Sequence, residues 1–124
     1  MARVQPYHGT YASARSASEV LDIDAILAGC DAVDEKAQKI TEYTNNIQTS
    51  TSVLDQKNFS INKETPQQEI TDTCTGIEDV QSSITETTSA IREAAEAAYN
   101  EIQAQFNYEA EQRDAYERNN NQNK

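Results

Sequence analysis

Apolar and small residues recur every three or four positions in two separate segments of the chain. The first segment carries Ile23, Ile26, Cys30, Val33, Ala37, Ile40, Thr44, Ile47, Thr51 and Leu54. The second carries Ile70, Ile77, Ile84, Ile91 and Ala98 at strict sevens, with Thr73, Val80, Thr87 and Ala94 three places after the first four. Such a seven-residue repeat is typical of a coiled coil, in which one face of each helix packs against another helix. The pattern therefore predicts two long helices that pair with each other.

Residues that favour helix ends flank both segments. Ser16 is followed three residues later by Glu19, a pair that can cap the first amides of a helix. Thr65-Pro66-Gln67-Gln68 offers the second segment a capping hydroxyl and a proline suited to the first turn. The stretch between the segments is short and polar, which forces the helices to run antiparallel. We predict an all-α, antiparallel two-helix coiled-coil hairpin, with helix 1 at about residues 18–57, the turn at about 58–64 and helix 2 at about 65–117.

The two ends of the chain differ from this hairpin domain, which spans residues 18–118. Residues 1–15 contain two Arg, one His, two Tyr and no acidic residue. We predict that residues 1–17 form a flexible tail. Residues 119–124 read Asn-Asn-Asn-Gln-Asn-Lys, so this end is expected to be a disordered polar tail.

Helix 2 is predicted to be longer than helix 1 by several turns. Reflection about the turn leaves Phe106, Tyr108 and Tyr116 beyond the reach of helix 1. The heptad register also slips there, because after Ala98 the apolar residues Ile102 and Phe106 follow at steps of four. An aromatic overhang with a changed register is a candidate docking surface. The alternative is that the N-terminal tail folds back over it through Val4, Tyr7 and Tyr11.

The charge of the chain narrows the classes of partner. With 21 acidic and 10 basic residues, the net charge is -11, which repels nucleic-acid phosphates and anionic membrane surfaces. There is no apolar run near the roughly 18 residues that a membrane span needs, and the start lacks the apolar core of a secretory signal. We expect no nucleic-acid binding and no membrane insertion. The expected location is the cytoplasm, or outside the cell by a route that reads no signal peptide.

Few residues could support catalysis or metal binding. His8 is the single histidine and lies in the predicted tail, which excludes histidine-based metal sites and triads. In a hairpin that reverses near residue 61, Cys30 and Cys74 would lie roughly 27 Å apart at ~1.5 Å rise per residue, too far for a disulfide. The acidic clusters lack the alternating ligands and central glycine of a calcium loop. We predict no enzyme activity, no cofactor and no metal, with both cysteines as free thiols.

The predicted hairpin has a thin core and is expected to need a helical partner. About eleven seam Ile, Val and Leu side chains contribute roughly 1.5 to 3 kcal/mol each on burial. Backbone ordering costs about 1 to 2 kcal/mol for every helical residue. A second hairpin, from another protein or a second copy, would complete a four-helix bundle. The predicted partner-binding residues are Leu27, Tyr43, Tyr99, Ile102, Phe106, Tyr108, Arg113 and Tyr116, with a local ion pair to Glu109 or Glu117 as the alternative role of Arg113.

Two long, acidic, Ala/Thr/Gln-rich helices without a signal peptide give residues 18–118 a resemblance to a known family. They resemble the WXG-type helical hairpins of bacterial type VII secretion, and most of all the small helical proteins that accompany LXG toxins. Two family motifs differ here: the turn has Asn58-Phe59-Ser60 in place of Trp-x-Gly, and Tyr108 is followed four residues later by Gln112 rather than an acid. The resemblance implies a non-catalytic hairpin that pairs with the helical region of a toxin.

The function expected from the sequence is therefore that of a helical-hairpin partner or targeting chaperone. It would bind a helical region of a secreted toxin or effector and help deliver it to a type VII-like secretion system. The alternatives are a self-assembling structural coiled-coil subunit without cargo and a chaperone of a different secretion system. Heptads are common to all three.

Overall fold

The computed structural model describes the backbone of residues 2–56 and 64–122 and the side chains of residues 2–51 and 68–122. A short 3-10 helix, Ala17–Glu19, precedes two long helices, α1 (Ile23–Gln56) and α2 (Glu64–Gln122). The described residues form no strand, and a single isolated β-bridge joins His8 and Ser13. The all-α fold class is confirmed, and two helices of this kind are consistent with the predicted hairpin. The predicted turn lies outside the described residues, except for Glu64, which begins α2.

The boundaries of the helices differ from the prediction by more than one residue at two of their four ends, the start of α1 and the end of α2. Ser16 does act as a cap, but of the 3-10 helix, where its side chain accepts from the amide of Ser18. The α-helix begins later, at Ile23, because Asp22 Oδ1 accepts from the Ala25 amide at 3.1 Å and serves as its cap. At the other end, α2 continues to Gln122, so much of the expected disordered tail is helical.

The chain divides into two compact units. Unit 1 comprises Met1–Ala28 and Ile91–Lys124, and unit 2 comprises Gly29–Ala90. Each long helix contributes to both units. The N-terminal residues therefore belong to the same unit as the second half of α2.

Within unit 2 the two helices run antiparallel. Thr88 Oγ1 donates to Asp34 Oδ1 at 2.6 Å, and Ile47 shares a groove with Ile70 and Ile77. Higher residue numbers on α1 thus meet lower numbers on α2. This is the pairing expected for a chain that reverses near residue 61. Both cysteines, which lie in this unit, are buried free thiols as predicted.

Along α1 the buried residues recur at strict sevens. They are Ile23, Cys30, Ala37, Thr44 and Thr51. The residues predicted to alternate with them are less covered: Ile26 and Ile40 are half-buried, whereas Val33 and Ile47 are exposed. One side of the predicted seam is therefore the true inner face, and it is lined by small residues.

Along α2 the predicted register is wrong by one residue on one side. The prediction placed Thr73, Val80, Thr87 and Ala94 inside, but all four are exposed. The structure instead covers the residues four places after each isoleucine, namely Cys74, Gln81, Thr88 and Ala95. On a helix, the residues three and four places after a given residue lie on opposite sides of it. A seven-residue period is therefore compatible with burial of either one. Packing decides between them, because Thr88 bonds Asp34 and Ala95 joins an apolar core.

The glycines inside the helices of unit 2 offer a direct test of local helix stability. A Cβ added at Gly29 or Gly76 would have no neighbour within 4 Å. Replacing either glycine with alanine removes backbone entropy from the unfolded chain, so each variant should be more stable by roughly 0.5 to 1 kcal/mol. Urea unfolding followed by circular dichroism measures this, and a destabilised Gly29→Ala variant would contradict the exposed placement of that residue.

Candidate functional site

The residues predicted as a flexible tail lie against α2. We call residues 2–17 the N-terminal segment, and the residues of α2 that bind it the polar strip: Glu96, Asn100, Gln103, Asn107 and Asp114. These five follow at steps of three, four or seven, which keeps them on one face of the helix. The alternative that the tail folds back is thus what the structure shows. Its expected contacts are only partly right, because Val4 and Tyr11 remain exposed and Tyr7 is half-buried.

Three side-chain amides of the polar strip bind the main chain of the segment in the same way. Asn107 Oδ1 accepts from the Tyr7 amide at 2.8 Å, and its Nδ2 donates to the Gln5 carbonyl at 2.9 Å, so the amide brackets Pro6. The other two repeat this pattern: Asn100 brackets Arg3 through Val4 N (2.9 Å) and Ala2 O (3.5 Å), and Gln103 brackets Ser16 through Ala17 N (2.8 Å) and Arg15 O (2.9 Å). These bonds recognise backbone groups rather than side chains.

The carboxylate of Asp114 closes the end of the strip. Its side chain is fully buried and accepts four hydrogen bonds: from Tyr7 Oη at 2.7 Å, the Tyr11 amide at 2.6 Å, the Ala12 amide at 2.9 Å and Arg118 Nη2 at 2.8 Å. The bond from Tyr7, followed by that from the Tyr11 amide, lowers the pKa of Asp114. The same bond raises the pKa of Tyr7. A buried charge is tolerated here because it has donors on several sides.

A tight loop carries the segment around this carboxylate. The Gly9 amide donates to Ala12 O at 3.0 Å, and the Ala14 amide donates to Tyr7 O at 2.9 Å. Gly9 approaches Asp114 so closely that an added Cβ would lie 2.5 Å from the carboxyl carbon. A side chain at this position would therefore push the loop away from α2.

Two arginines of the segment bind both acids and rings of unit 1. Arg3 Nε and Nη2 donate to the two carboxylate oxygens of Glu96 at 3.1 Å each, and the guanidinium lies 5.5 Å from the centre of the Tyr99 ring. The bonds from Arg3 lower the pKa of Glu96. The Arg15 guanidinium lies 4.9 Å from the centre of the Phe106 ring. Arginine can use its plane and its donors together in this way, which favours a cationic segment.

An apolar cluster lies where the segment joins the helices. Its members are Ala17, Ile23, Ala95 and Tyr99, with Leu21, Ile26, Leu27 and Ile102 packed against them. Ala17 is the single buried residue of the N-terminal segment as described here. The segment is therefore anchored by apolar contact at one end and by polar contacts along the rest.

The predicted partner-binding residues do not form one free surface. Leu27, Tyr99 and Ile102 belong to the apolar cluster, and Phe106 is half-buried with Arg15 over its ring. Arg113 Nη2 lies 3.4 Å from Ser13 O, so it donates to the N-terminal segment. The remaining three are exposed tyrosines: Tyr43 in unit 2, and Tyr108 and Tyr116 in unit 1.

The residues that sequence reasoning missed are the polar ones of the strip. A signal for them exists, since Glu96, Asn100, Gln103, Asn107, Ala110 and Asp114 alternate at steps of four and three. These residues keep a seven-residue repeat, but the repeat lies one residue out of phase with the buried Cys74, Thr88 and Ala95. The register slip predicted after Ala98 is therefore also seen in the burial, because the buried residues Ala95, Tyr99 and Gln103 follow at steps of four.

Comparison with known proteins adds no family to this description. No family model, no curated protein and no solved structure matches the chain. Across the described residues, no helix combines the length and apolar character of a membrane span, and no group of three His, Cys, Asp or Glu side chains could hold a metal ion. The interpretation of the site therefore rests on its own geometry.

The close approach of Gly9 to Asp114 predicts that Gly9→Ala releases the loop. Trypsin cleavage after Arg15 should become about tenfold faster, because proteolysis follows the population of the open form when opening is rapid. The matched control is Gly29→Ala, whose added methyl group meets open space. Equal cleavage rates in the Gly9→Ala variant and the unaltered chain would show that the loop does not depend on this contact.

The shifted pKa values predict that the loop loosens in acid. The folded-state pKa of Asp114 is below the ordinary value of about 3.9, so its bonds stabilise the docked loop above that value and are lost as the pH falls through the folded pKa. The raised pKa of Tyr7 means that ionisation of the tyrosine itself breaks this bond a second time, in alkali above about pH 10.

An NMR titration measures this directly at two amides. The amide protons of Tyr11 and Ala12, which donate to Asp114, should move upfield below about pH 4. Asp114→Asn should remove the transition, whereas Glu111→Gln, at an exposed acid, should preserve it. A transition that persists in Asp114→Asn would assign it to another group.

Proposed function

We propose that this chain is a non-catalytic helical partner protein, which pairs through unit 2 with a helical region of another protein. The observation that carries the proposal is the inverted burial of that unit. Among the side chains of unit 2 that the structure describes, the buried ones are small or polar, and the large aliphatic ones lie half-buried or exposed. A helix pair with this arrangement gains apolar burial when further helices cover it.

The interior of unit 2 is lined by small and polar residues. Its buried residues are Cys30, Ala37, Thr44, Thr51, Cys74 and Thr88. Two threonine hydroxyls bond within their own helix, Thr44 Oγ1 to Thr41 O and Thr51 Oγ1 to Ile47 O, both at 2.9 Å, whereas Thr88 Oγ1 donates across to Asp34. Such small residues contribute little apolar area compared with isoleucine or leucine.

The outer surface of unit 2 carries large aliphatic side chains. Val33, Ile47 and Val80 are 44%, 47% and 59% exposed. Ile40, Ile70, Ile77 and Ile84 are half-buried. A shallow groove of about 380 Å³ lies among Ile47, Ile70 and Ile77, with Glu69, Thr73 and Cys74 as its other lining residues. Aliphatic residues beside a groove between two helices suit the apolar face of a third helix.

The nature of the partner is the more specific part of the proposal. We propose the helical region of a secreted toxin or effector, which the chain would help deliver to a type VII-like secretion system. The resemblance to the WXG-type hairpins and the proteins that accompany LXG toxins suggests this class of partner. The two long helices, the net charge of -11 and the aliphatic surface of unit 2 support it. The protein would act in the cytoplasm or leave the cell with its partner.

Two valines of similar exposure allow a matched test of the surface. Val80 in unit 2 is 59% exposed and Val20 in unit 1 is 57% exposed. Co-expression with the helical product of the neighbouring gene, followed by co-purification and light scattering, should give a defined complex. Val80→Lys combined with Ile47→Lys should weaken it by at least about tenfold, since apolar burial is lost and two charges are desolvated. Val20→Lys should leave it intact.

The same measurement decides between the proposal and its rivals. Growth of the scattering mass with concentration for the chain alone would favour a self-assembling structural subunit. If the two lysines in unit 2 leave the affinity of the complex unchanged, the partner binds at another surface of the chain. Secretion of the partner through a different export system would retain the pairing and replace only the type VII assignment.

A further inference from the structure

We propose that the polar strip is a peptide-binding site and that the N-terminal segment is its exchangeable occupant. The ligand it would take from another molecule is a cationic peptide segment with the chemistry of residues 2–17, including the turn at Gly9 to Ala12. This inference concerns unit 1 and is independent of the partner-binding face of unit 2.

The repeat distances of the strip and the segment match each other. Asn100 and Asn107 are seven residues apart, which is about 10.5 Å along a helix. The residues that they bracket, Arg3 and Pro6, are three apart, which is about 10 Å along an extended chain. Two turns of the helix thus have nearly the same length as three residues of extended chain. Asn100 and Asn107 can therefore meet an extended main chain in phase.

Each side-chain amide has an acceptor for a backbone N–H and a donor for a backbone carbonyl. The oxygen of Asn107 accepts from one backbone amide and its nitrogen donates to one carbonyl, two residues apart in the ligand. Gln103 Nε2 also donates to Asn107 Oδ1 at 3.0 Å, which fixes the orientation of its neighbour. Because these bonds go to backbone atoms, the site tolerates different side chains between its anchors.

Charged and aromatic groups select the ligand class. The two carboxylate oxygens of Glu96 accept from one edge of the Arg3 guanidinium, and Phe106 lies under Arg15. Asp114 accepts hydrogen bonds from the Tyr11 and Ala12 amides and from the hydroxyl of Tyr7. A ligand with arginines and a glycine at the turn matches these three features, whereas an acidic peptide would meet like charges.

Polar contacts hold residues 2–16 of the occupant in place, and burial anchors only its last residue, Ala17, in the apolar cluster. Of the described residues 2–16, none is buried, and Val4, Gln5, His8, Thr10, Tyr11 and Ser13 are exposed. Such a segment has little apolar area to lose when it leaves the strip. A second segment with the same donors, acceptors and charges can replace its contacts one for one.

The test uses the full chain with substitutions that weaken the contacts between its own N-terminal segment and the polar strip. A variant with Arg3→Ala, Tyr7→Ala and Gly9→Ala leaves every residue of the polar strip unchanged. A fluorescent peptide of residues 2–17 is then titrated, and its anisotropy is followed. The peptide should bind this variant at least about tenfold more tightly than the unaltered chain, whose own tethered segment competes at high effective concentration.

Two controls separate backbone recognition from general attraction. Asn107→Leu, added to the triple variant, removes both bonds of one amide and should weaken peptide binding by about tenfold or more. Gln105→Leu, at an exposed position where the amide bonds Glu109, should leave binding unchanged. A scrambled peptide with the same composition should also bind about tenfold more weakly.

The amide signals of Tyr11 and Ala12 report whether the segment has left the strip. A segment that stays docked in the triple variant would overturn its exchangeability. A released segment without peptide binding would overturn the site itself. Equal binding of the scrambled peptide would reduce the interaction to charge attraction and overturn the proposed recognition of the main chain.

Discussion

The structure depends on a difference in length between its two helices. α1 has 34 residues and α2 has 59, and Ile23, the first residue of α1, already packs in the cluster of Ala95 and Tyr99. From there α2 continues to Gln122 and needs another partner for its inner face. A long helix without tertiary contacts is only marginally stable in water. The N-terminal segment supplies those contacts.

The chemistry of the inner face follows from what covers it. Where helix meets helix, main-chain groups are already paired, so small residues such as Ala37, Thr88 and Ala95 fit there. An extended segment brings unpaired amides and carbonyls, which require polar partners. Asn107 and Asp114 satisfy them at positions where a coiled coil would carry aliphatic residues. Beyond Ala95 the buried positions shift by one residue, because Ala95, Tyr99 and Gln103 follow at steps of four, and the chemistry of the inner face changes as well.

The two units present different surfaces as a result. In unit 1 the segment covers the aromatic residues Tyr99 and Phe106 with arginines. In unit 2 the small interior leaves Ile47 and Val80 facing outward. We therefore propose that association with other helices belongs to unit 2 and that recognition of extended segments belongs to unit 1. Of the predicted aromatic overhang, Phe106 is covered by Arg15 of the N-terminal segment, whereas Tyr108 and Tyr116 remain exposed.

The sequence by itself determined the helices, their approximate bounds and the buried free thiols, because local periodicity and capping chemistry specify these. The tertiary structure alone decided two other features. It selected Cys74, Thr88 and Ala95 over their neighbours one residue earlier, since both choices share the same seven-residue period and only packing distinguishes them. It also placed the N-terminal segment on α2. That contact is made mainly through backbone hydrogen bonds, which every sequence offers alike and which therefore leave little pattern in the segment itself.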